Sequence, residues 1–369
     1  MVRIGIAGVG YTVGISNEHA TAFKLQPGAR ITAVYDILPG RGEDFVKRHQ
    51  LDGTKVCSSY EELLDEVDAV CICTPNATHI ELAVQALKAG KHVLCEKPFG
   101  LNSEECEEAL KYAELSGKVC MIGLCYRNIP AFRYMKKLIE NGELGEIFWG
   151  RQVMCSNRMA DPGVLCEWRM QRMLSGTGVI GDLGSHMLDM TEWLLNSQCG
   201  PMKRFQALQS TRINERKEIG TGRMKPVTND DIACFTGQME NGVLISYTVA
   251  RLGGPGHTFE LYGSGGTMIY DGDRPFQVGI RRKEFNGGYG GNYGADIEYI
   301  PVPKELYMTS ENTPEIPFTI NFYHQAAEFL DCIENGKRPE TDFARGIYIQ
   351  KLIDTIERAA VTGLVEEVD

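Results

Sequence analysis

The chain has 369 residues, 43% hydrophobic and 24% charged, the proportions of an ordinary soluble globular protein and too many for one core, so two domains are expected. A formal net charge of −11 lacks the basic face that a nucleic-acid or anionic-membrane partner needs, and no apolar run approaches the roughly 18 residues that span a bilayer. The twelve cysteines are scattered, with no CxxC and no Cys/His cluster at zinc spacing, which predicts free thiols in a reducing cytoplasm and no metal.

The chain enters a strand pattern at residues 2–7, with no signal-peptide pattern ahead of it, and a cytoplasmic location is expected. The strand runs into Gly8-Val9-Gly10-Tyr11-Thr12-Val13-Gly14. Glycines there allow positive φ and let a phosphate approach the backbone, while the helix predicted over 17–25 offers its N-terminus to the same charge. Gly8, Gly10, Tyr11, Thr12 and Val13 are candidate cofactor contacts. A second strand, over 31–35, ends on Asp36, about twenty residues past the glycines, where a carboxylate accepts ribose hydroxyls and repels a 2′-phosphate. NAD is therefore expected rather than NADP; the alternative for Asp36 is a turn or helix-cap aspartate. Three residues separate Gly10 from Gly14 where the dinucleotide fingerprint has two, so Gly8 and Gly10 are the firmer matches.

A helix over 41–49, a strand over 55–57 and a helix over 60–64 follow. The apolar strand 69–73 ends in Thr74-Pro75-Asn76-Ala77-Thr78-His79, where Asn76 and Thr78 suit the cap of a helix over 80–89 and Thr74, Pro75, Asn76 and His79 are candidate cofactor contacts. His92-Val93-Leu94-Cys95-Glu96-Lys97-Pro98 is a buried-type strand driven into an acid, a lysine and a proline. The proline holds Lys97 extended at the C-terminal lip of the strand, where open α/β sheets bind ligands. Taken alone, Lys97 is as well explained by a surface ion pair with Glu96. A helix over 103–116, opened by Asn102 or Ser103, and a strand over 119–124 complete a β-α-β alternation, which specifies a parallel sheet with helices on both faces. Residues 1–125 are expected to form one dinucleotide-binding domain.

From Tyr126 the texture changes. A helix over 130–141 and a strand over 147–154 lead through an irregular stretch to Trp168-Arg169, then a glycine-rich run and a helix over 186–195. Strands are predicted over 204–209, 232–239, 244–250, 258–262, 267–270 and 276–279, with closing helices over 319–335 and 343–362. Residues 126–369 are expected to be an α+β domain with a large, mostly antiparallel sheet. Its uncovered face predicts a homo-oligomer, a dimer or tetramer.

Within Gly178–Asp189, Asp182 and His186 fall four residues apart, on one face if a helix begins near Asp182. A carboxylate beside an imidazole raises its pKa and fixes its tautomer, making a general base for a hydroxyl proton. Asp189, three residues on, lies on the same side to orient the ring. The alternative makes Asp182 an N-cap and His186 a core histidine; a metal reading lacks further ligands. Trp168 suits stacking on a sugar face or a place in the core, and Tyr289 or Tyr293, in the glycine-rich 286–294 stretch, suits closing over a sugar or plain surface exposure. His257, His324 and Tyr323 are too isolated to assign.

Gly8-Val9-Gly10, Asp36, Cys73-Thr74-Pro75-Asn76, Glu96-Lys97-Pro98, Trp168-Arg169 and Gly181-Asp182-Leu183-Gly184-Ser185-His186-Met187-Leu188-Asp189, in this order, resemble the glucose-fructose oxidoreductase/inositol dehydrogenase/MocA family over nearly the whole chain. The resemblance implies a Rossmann domain carrying NAD(P), with Lys97 as proton relay or substrate-hydroxyl ligand and His186, paired with Asp182, as general acid/base. Glu96, Lys97 and Arg169 join the cofactor contacts; Lys97, Tyr126, Trp168, Asp182 and His186 are the expected substrate contacts. Two departures are the longer loop from Gly10 to His19 and Thr177 where the family has a glycine. The expected activity is NAD-dependent oxidation of a secondary hydroxyl of a sugar, inositol or sugar derivative. One rival is an enzyme that keeps its NAD and oxidises a glycoside transiently to cleave or modify it. Another is a non-catalytic cofactor-binding subunit, against which the joint presence of Lys97, Asp182 and His186 argues.

Overall fold

The computed structural model describes residues 1–10, 14–282, 296–311 and 313–369. Two compact units result, one of Met1–Cys125, Met173–Gly176 and Ser310–Gln350, the other of Tyr126–Arg172, Thr177–Thr309 and Lys351–Asp369.

The first unit is built on β1 (Val2–Ala7), β2 (Ala29–Tyr35), β3 (Lys55–Val56), β4 (Ala69–Ile72), β5 (His92–Cys95) and β6 (Cys120–Ile122). They pair in parallel in the order β3-β2-β1-β4-β5-β6. Every residue of β4 is buried, as a strand covered on both faces requires. Helices α1 (Ser16–Lys24), α2 (Arg41–His49), α3 (Tyr60–Asp65), α4 (His79–Lys88) and α5 (Ser103–Ser116) make the crossovers. Strand order reverses between β1 and β4, the position where a doubly wound sheet opens a crevice at its carboxyl ends. Asn102 opens α5, its side chain accepting the Glu105 N–H at 3.0 Å. A late helix, Pro317–Asn335, also belongs here, its Phe322 ring meeting the His19 ring edge-on at 5.0 Å.

The second unit holds α6 (Pro130–Glu140), β7 (Ile147–Cys155), α7 (Ser185–Cys199), β8 (Met202–Ser210), β9 (Glu215–Lys217), β10 (Met224–Pro226), β11 (Ile232–Met239), β12 (Leu244–Ala250), β13 (His257–Gly263), β14 (Gly266–Asp271), β15 (Gln277–Arg282), β16 (Glu298–Pro301) and β17 (Glu366–Glu367). Nine strands form one sheet, β16-β15-β14-β13-β7-β12-β11-β8-β17, antiparallel except where β7 meets β12. Burial alternates along the strands: Met202, Phe205 and Ala207 of β8 face inward while Arg204, Gln206 and Leu208 face out. Helix α7 buries eleven of its fifteen residues, which suits a core helix rather than an amphipathic surface one. The β9–β10 pair, β16 and β17 escaped the periodicity reading because two to four mostly polar residues carry too little alternation. A doubly wound parallel sheet and a mostly antiparallel α+β sheet match the expected fold classes.

Candidate active-site residues in each unit

In the first unit the glycine turn is shaped by the strand ends beside it. Gly8 has φ +88°, and a Cβ there would stand 2.8 Å from the Cys73 carbonyl carbon and the Thr74 nitrogen. A Cβ on Gly10 would instead meet nothing nearer than Arg41 Nη1 at 3.6 Å. A Cβ on Gly14 would lie 2.5 Å from the Gly10 carbonyl oxygen, so that position is closed to larger residues despite the extra loop residue. Tyr11, Thr12 and Val13 lie outside the described residues.

Asp36 sits against this turn. Its side chain is 5% exposed; Oδ2 accepts the Val9 N–H at 2.9 Å, Oδ1 accepts the Leu38 N–H at 2.9 Å, and Arg41 Nη1 stands 3.5 Å from Oδ1. The carboxylate therefore caps the turn at the tip of β2, beside a cation that sequence spacing did not single out.

At the end of β4 the expected caps are not made. A single turn over Asn76–Thr78 runs directly into α4, leaving no frayed helix start to cap. Thr78 Oγ1 lies 2.7 Å from Thr74 Oγ1 and 2.8 Å from the Pro75 carbonyl oxygen. Asn76 is 4% exposed and donates to the Ser175 carbonyl at 2.9 Å, while its buried Oδ1 has no partner among the described residues. His79, 1% exposed, has Nδ1 at 3.0 Å from the Pro98 carbonyl oxygen and Nε2 at 2.9 Å from that of Thr74. The ring thus braces the turn after β4 to the turn after β5. Desolvation holds it below the usual histidine range, against the two carbonyl contacts, which favour the charged ring.

Glu96 turns inward at the end of β5. Its Oε1 is 2.7 Å from His19 Nε2 and its Oε2 accepts the Lys97 N–H at 3.2 Å. A Cβ on Gly123 would lie 2.6 Å from Oε1, so a glycine there leaves the carboxylate its room. Burial opposes both charges, yet the pair offsets it: His19 is held above its usual range and Glu96 below. Lys97, half-buried, precedes a cis bond to Pro98. His19 has two further neighbours, Cys71 and Cys73, whose ligand atoms all lie within 4.8 Å of one another.

The turn and its lining fit a dinucleotide. Gly8 admits no side chain, Asp36 presents a carboxylate beside the turn, and Asn76 keeps a buried acceptor whose partner no described residue supplies.

In the second unit Asp182 lies in a wide π-type turn, Ile180–Gly184, that feeds α7. Its N–H already donates to the Gly178 carbonyl at 3.0 Å, so Asp182 is inside the helical run and is not its N-cap. The cap comes from Asp230, just ahead of β11. Oδ1 accepts the Gly178 N–H at 2.8 Å, and Oδ2 accepts those of Val179 and Ile180 at 2.8 and 3.3 Å. Burial, reinforced by the Glu357 carboxylate, pushes Asp230 up to about 6. The backbone packs too closely for any Cβ at Gly178, which would lie 2.3 Å from the Asp230 carbonyl oxygen. Thr177 donates from its hydroxyl to Glu357 Oε1 at 2.7 Å.

His186 is 5% exposed, and its ring packs on that of Tyr126 with centroids 4.1 Å apart. Beyond Tyr126 stands His257, which burial pushes down to about 3, a neutral ring at physiological pH. Asp182 Oδ1 is 4.0 Å from Arg169 Nε, and the Arg169 guanidinium lies 4.3 Å over the Trp168 ring. Trp168 is half-buried, which removes the core alternative, and its neighbour already covers one face. Asp189 accepts from Arg127 Nε at Oδ2, 3.0 Å away. The 286–294 stretch, with Tyr289 and Tyr293, lies outside the described residues.

Asp230, Arg127, Arg41 and the His19–Cys71–Cys73 group went unnoticed in the sequence. All but Arg41, which meets the nearby Asp36, join segments far apart in the chain, which local spacing cannot reveal. Among the described residues no helix is long and apolar enough to cross a membrane.

Residues 2–124 match the model of the oxidoreductase family with an NAD-binding Rossmann fold, and residues 132–269 match the Gfo/Idh/MocA C-terminal domain. Glucose-6-phosphate 3-dehydrogenase of Bacillus subtilis is 33% identical over 267 residues, 71% of this chain and 72% of that one. Levoglucosan dehydrogenase of Pseudarthrobacter phenanthrenivorans is 29% identical over 330 residues, 82% of this chain and 81% of the relative. A solved levoglucosan dehydrogenase in complex with NADH and L-sorbose shares the fold with a TM-score of 0.87 at 24% identity, covering 100% of this chain and 99% of that one. The chain belongs to the glucose-fructose oxidoreductase/inositol dehydrogenase/MocA family, and is an oxidoreductase carrying an NAD-binding Rossmann domain.

Proposed function

We propose that this enzyme oxidises a secondary hydroxyl of a sugar, an inositol or a sugar derivative, with NAD as the preferred hydride acceptor. The observation that carries the reading is His186, buried against Tyr126 in the helix that follows the Asp182 turn. Relatives named for glucose 6-phosphate, levoglucosan and inositol support the substrate class.

Gly8, Gly10, Asp36, Thr74, Pro75 and Asn76 would hold the dinucleotide, with His79 and Glu96 bracing the turns that carry those contacts. The Asp36 carboxylate favours ribose hydroxyls over a 2′-phosphate. When bound, the nicotinamide supplies the hydride acceptor. His186 is the group that receives the hydroxyl proton at its ring, and Lys97 serves as a hydrogen-bond donor that lowers the cost of negative charge on a substrate oxygen. Asp182 stabilises the imidazolium so formed, and Arg169 fixes Asp182 in turn. Tyr126 keeps the imidazole plane in place, and the free edge of Trp168 offers an apolar surface to a sugar ring.

Free thiols at all twelve cysteines support a reducing, cytoplasmic location. Trp149, Leu208 and Leu244, exposed on the sheet strands β7, β8 and β12, support a homo-oligomer formed through that sheet.

The test is a panel of inositols, hexoses, sugar phosphates and anhydrosugars, each assayed for NADH formation and, in parallel, NADPH. The reading expects turnover with at least one polyol and a preference for NAD. Product release without net NADH would point instead to an enzyme that retains its cofactor.

A further inference from the structure

We propose that His19, Cys71 and Cys73 form a buried binding site for a thiolate-seeking d¹⁰ cation of the Zn²⁺ class. The three side chains come from different places in the fold: His19 from α1, Cys71 from β4, and Cys73 from the residue just past its end. Cys71 and Cys73 point to the same side because strand residues two apart share a face. Their sulfurs lie 3.6 Å apart, and one ligand atom from each of the three residues falls within 4.8 Å of the others. A point within roughly 2.6 Å of all three exists in any triangle of that size, close to the ~2.3 Å of a Zn–S bond and the ~2.0–2.1 Å of a Zn–N bond. A few tenths of an ångström of side-chain movement closes the difference.

The ligand chemistry selects the ion. Two thiols and one imidazole are a soft to borderline set, unsuited to Mg²⁺ or Ca²⁺, which take oxygen ligands. Binding is balanced by proton release: each Cys–SH loses its proton to solvent as its thiolate–zinc bond forms, and His19 binds through a ring nitrogen that carries no proton, so a charged ring releases a third proton. Glu96, 2.7 Å from His19 Nε2, is the carboxylate that fixes the ring, the outer partner a metal-bound histidine ordinarily has. His19 and Cys71 are buried and Cys73 is half-buried, so Cys73 is the ligand an entering ion meets first.

The site abuts the glycine turn. Cys73 donates its N–H to the Ala7 carbonyl at 2.8 Å, and the Gly8 Cα faces the Cys73 carbonyl too closely for a Cβ. An ion held there would tie α1 to the end of β4 at the floor of that turn.

The experiment uses the full chain, reduced and handled anaerobically. Titration with Co²⁺, a spectroscopic stand-in for Zn²⁺, is expected to give a thiolate-to-cobalt charge-transfer band saturating near one ion per chain, and Zn²⁺ should abolish it by displacement. Cys71→Ala and Cys73→Ala should each lose most of the band, whereas Cys234→Ser, at an exposed thiol, should keep it. Zn²⁺ should raise the melting temperature of the wild-type chain but not of Cys73→Ala, as a ligand confined to the folded state must. Absence of the band in the wild-type chain overturns the proposal, as does a band that survives both alanine substitutions. If the two variants do not fold, X-ray absorption of the wild-type zinc-loaded chain decides. Two sulfur neighbours and a histidine nitrogen support the site; any shell lacking two sulfurs contradicts it.

Discussion

Arg127 grips Asp189 through two bonds, Nε to Oδ2 at 3.0 Å and Nη2 to Oδ1 at 2.5 Å, with both side chains no more than 6% exposed. The pair lies one helical turn beyond His186 and one residue after Tyr126, the ring on which His186 packs. It therefore pins the two segments that bring that imidazole and that phenol together.

Removing one partner should leave a buried charge without compensation. Arg127→Ala or Asp189→Ala is expected to cost about 3–5 kcal/mol in urea-unfolding free energy, while Arg127→Met combined with Asp189→Leu should recover much of it. Single variants within about 1 kcal/mol of the wild type would show that the pair carries little.

Asp230 gives a pH signature. Its folded pKa of about 6 lies above the ordinary 3.8, so between these values the folded chain holds a proton that the unfolded chain has lost. The contribution is complete below about 3.8 and disappears as pH rises through about 6. Relative to Asp230→Asn, wild-type stability should fall by up to ~1.4 kcal/mol per pH unit across that window and level off above it. Parallel stability profiles for the two proteins would contradict this.

Cofactor choice should turn on Asp36. Asp36→Ser removes the charge that repels a 2′-phosphate and releases Arg41, 3.5 Å away, to meet one. The ratio of kcat/KM for NADP over NAD is expected to rise at least tenfold. A ratio unchanged within about twofold would remove Asp36 from the discrimination.

Much of this was legible in the chain itself. The continuous apolar runs of β4 and β5, broken by Thr74-Pro75 and Lys97-Pro98, mark a parallel sheet, because such strands have no solvent face to alternate with. Gly8 and Asp36 were readable because turn chemistry and strand ends are local. Asp189 shows the limit: spacing put it on the side of His186 but could not show Arg127, 62 residues earlier, whose guanidinium donates to it. Asn76 and Thr78 failed as caps for a related reason, since the continuous turn into α4 left no helix start for them to close. Cys71, Cys73 and His19 meet through strand pairing and helix packing, relationships that no motif spacing encodes.

The most direct test of the assigned chemistry is kinetic. With the best polyol from the substrate panel, Lys97→Met and His186→Asn should each lower kcat by roughly a hundredfold or more, while the NADH dissociation constant, read by fluorescence, stays within about threefold. If both variants turn over within a few-fold of the wild type, Lys97 and His186 are not the proton-handling pair.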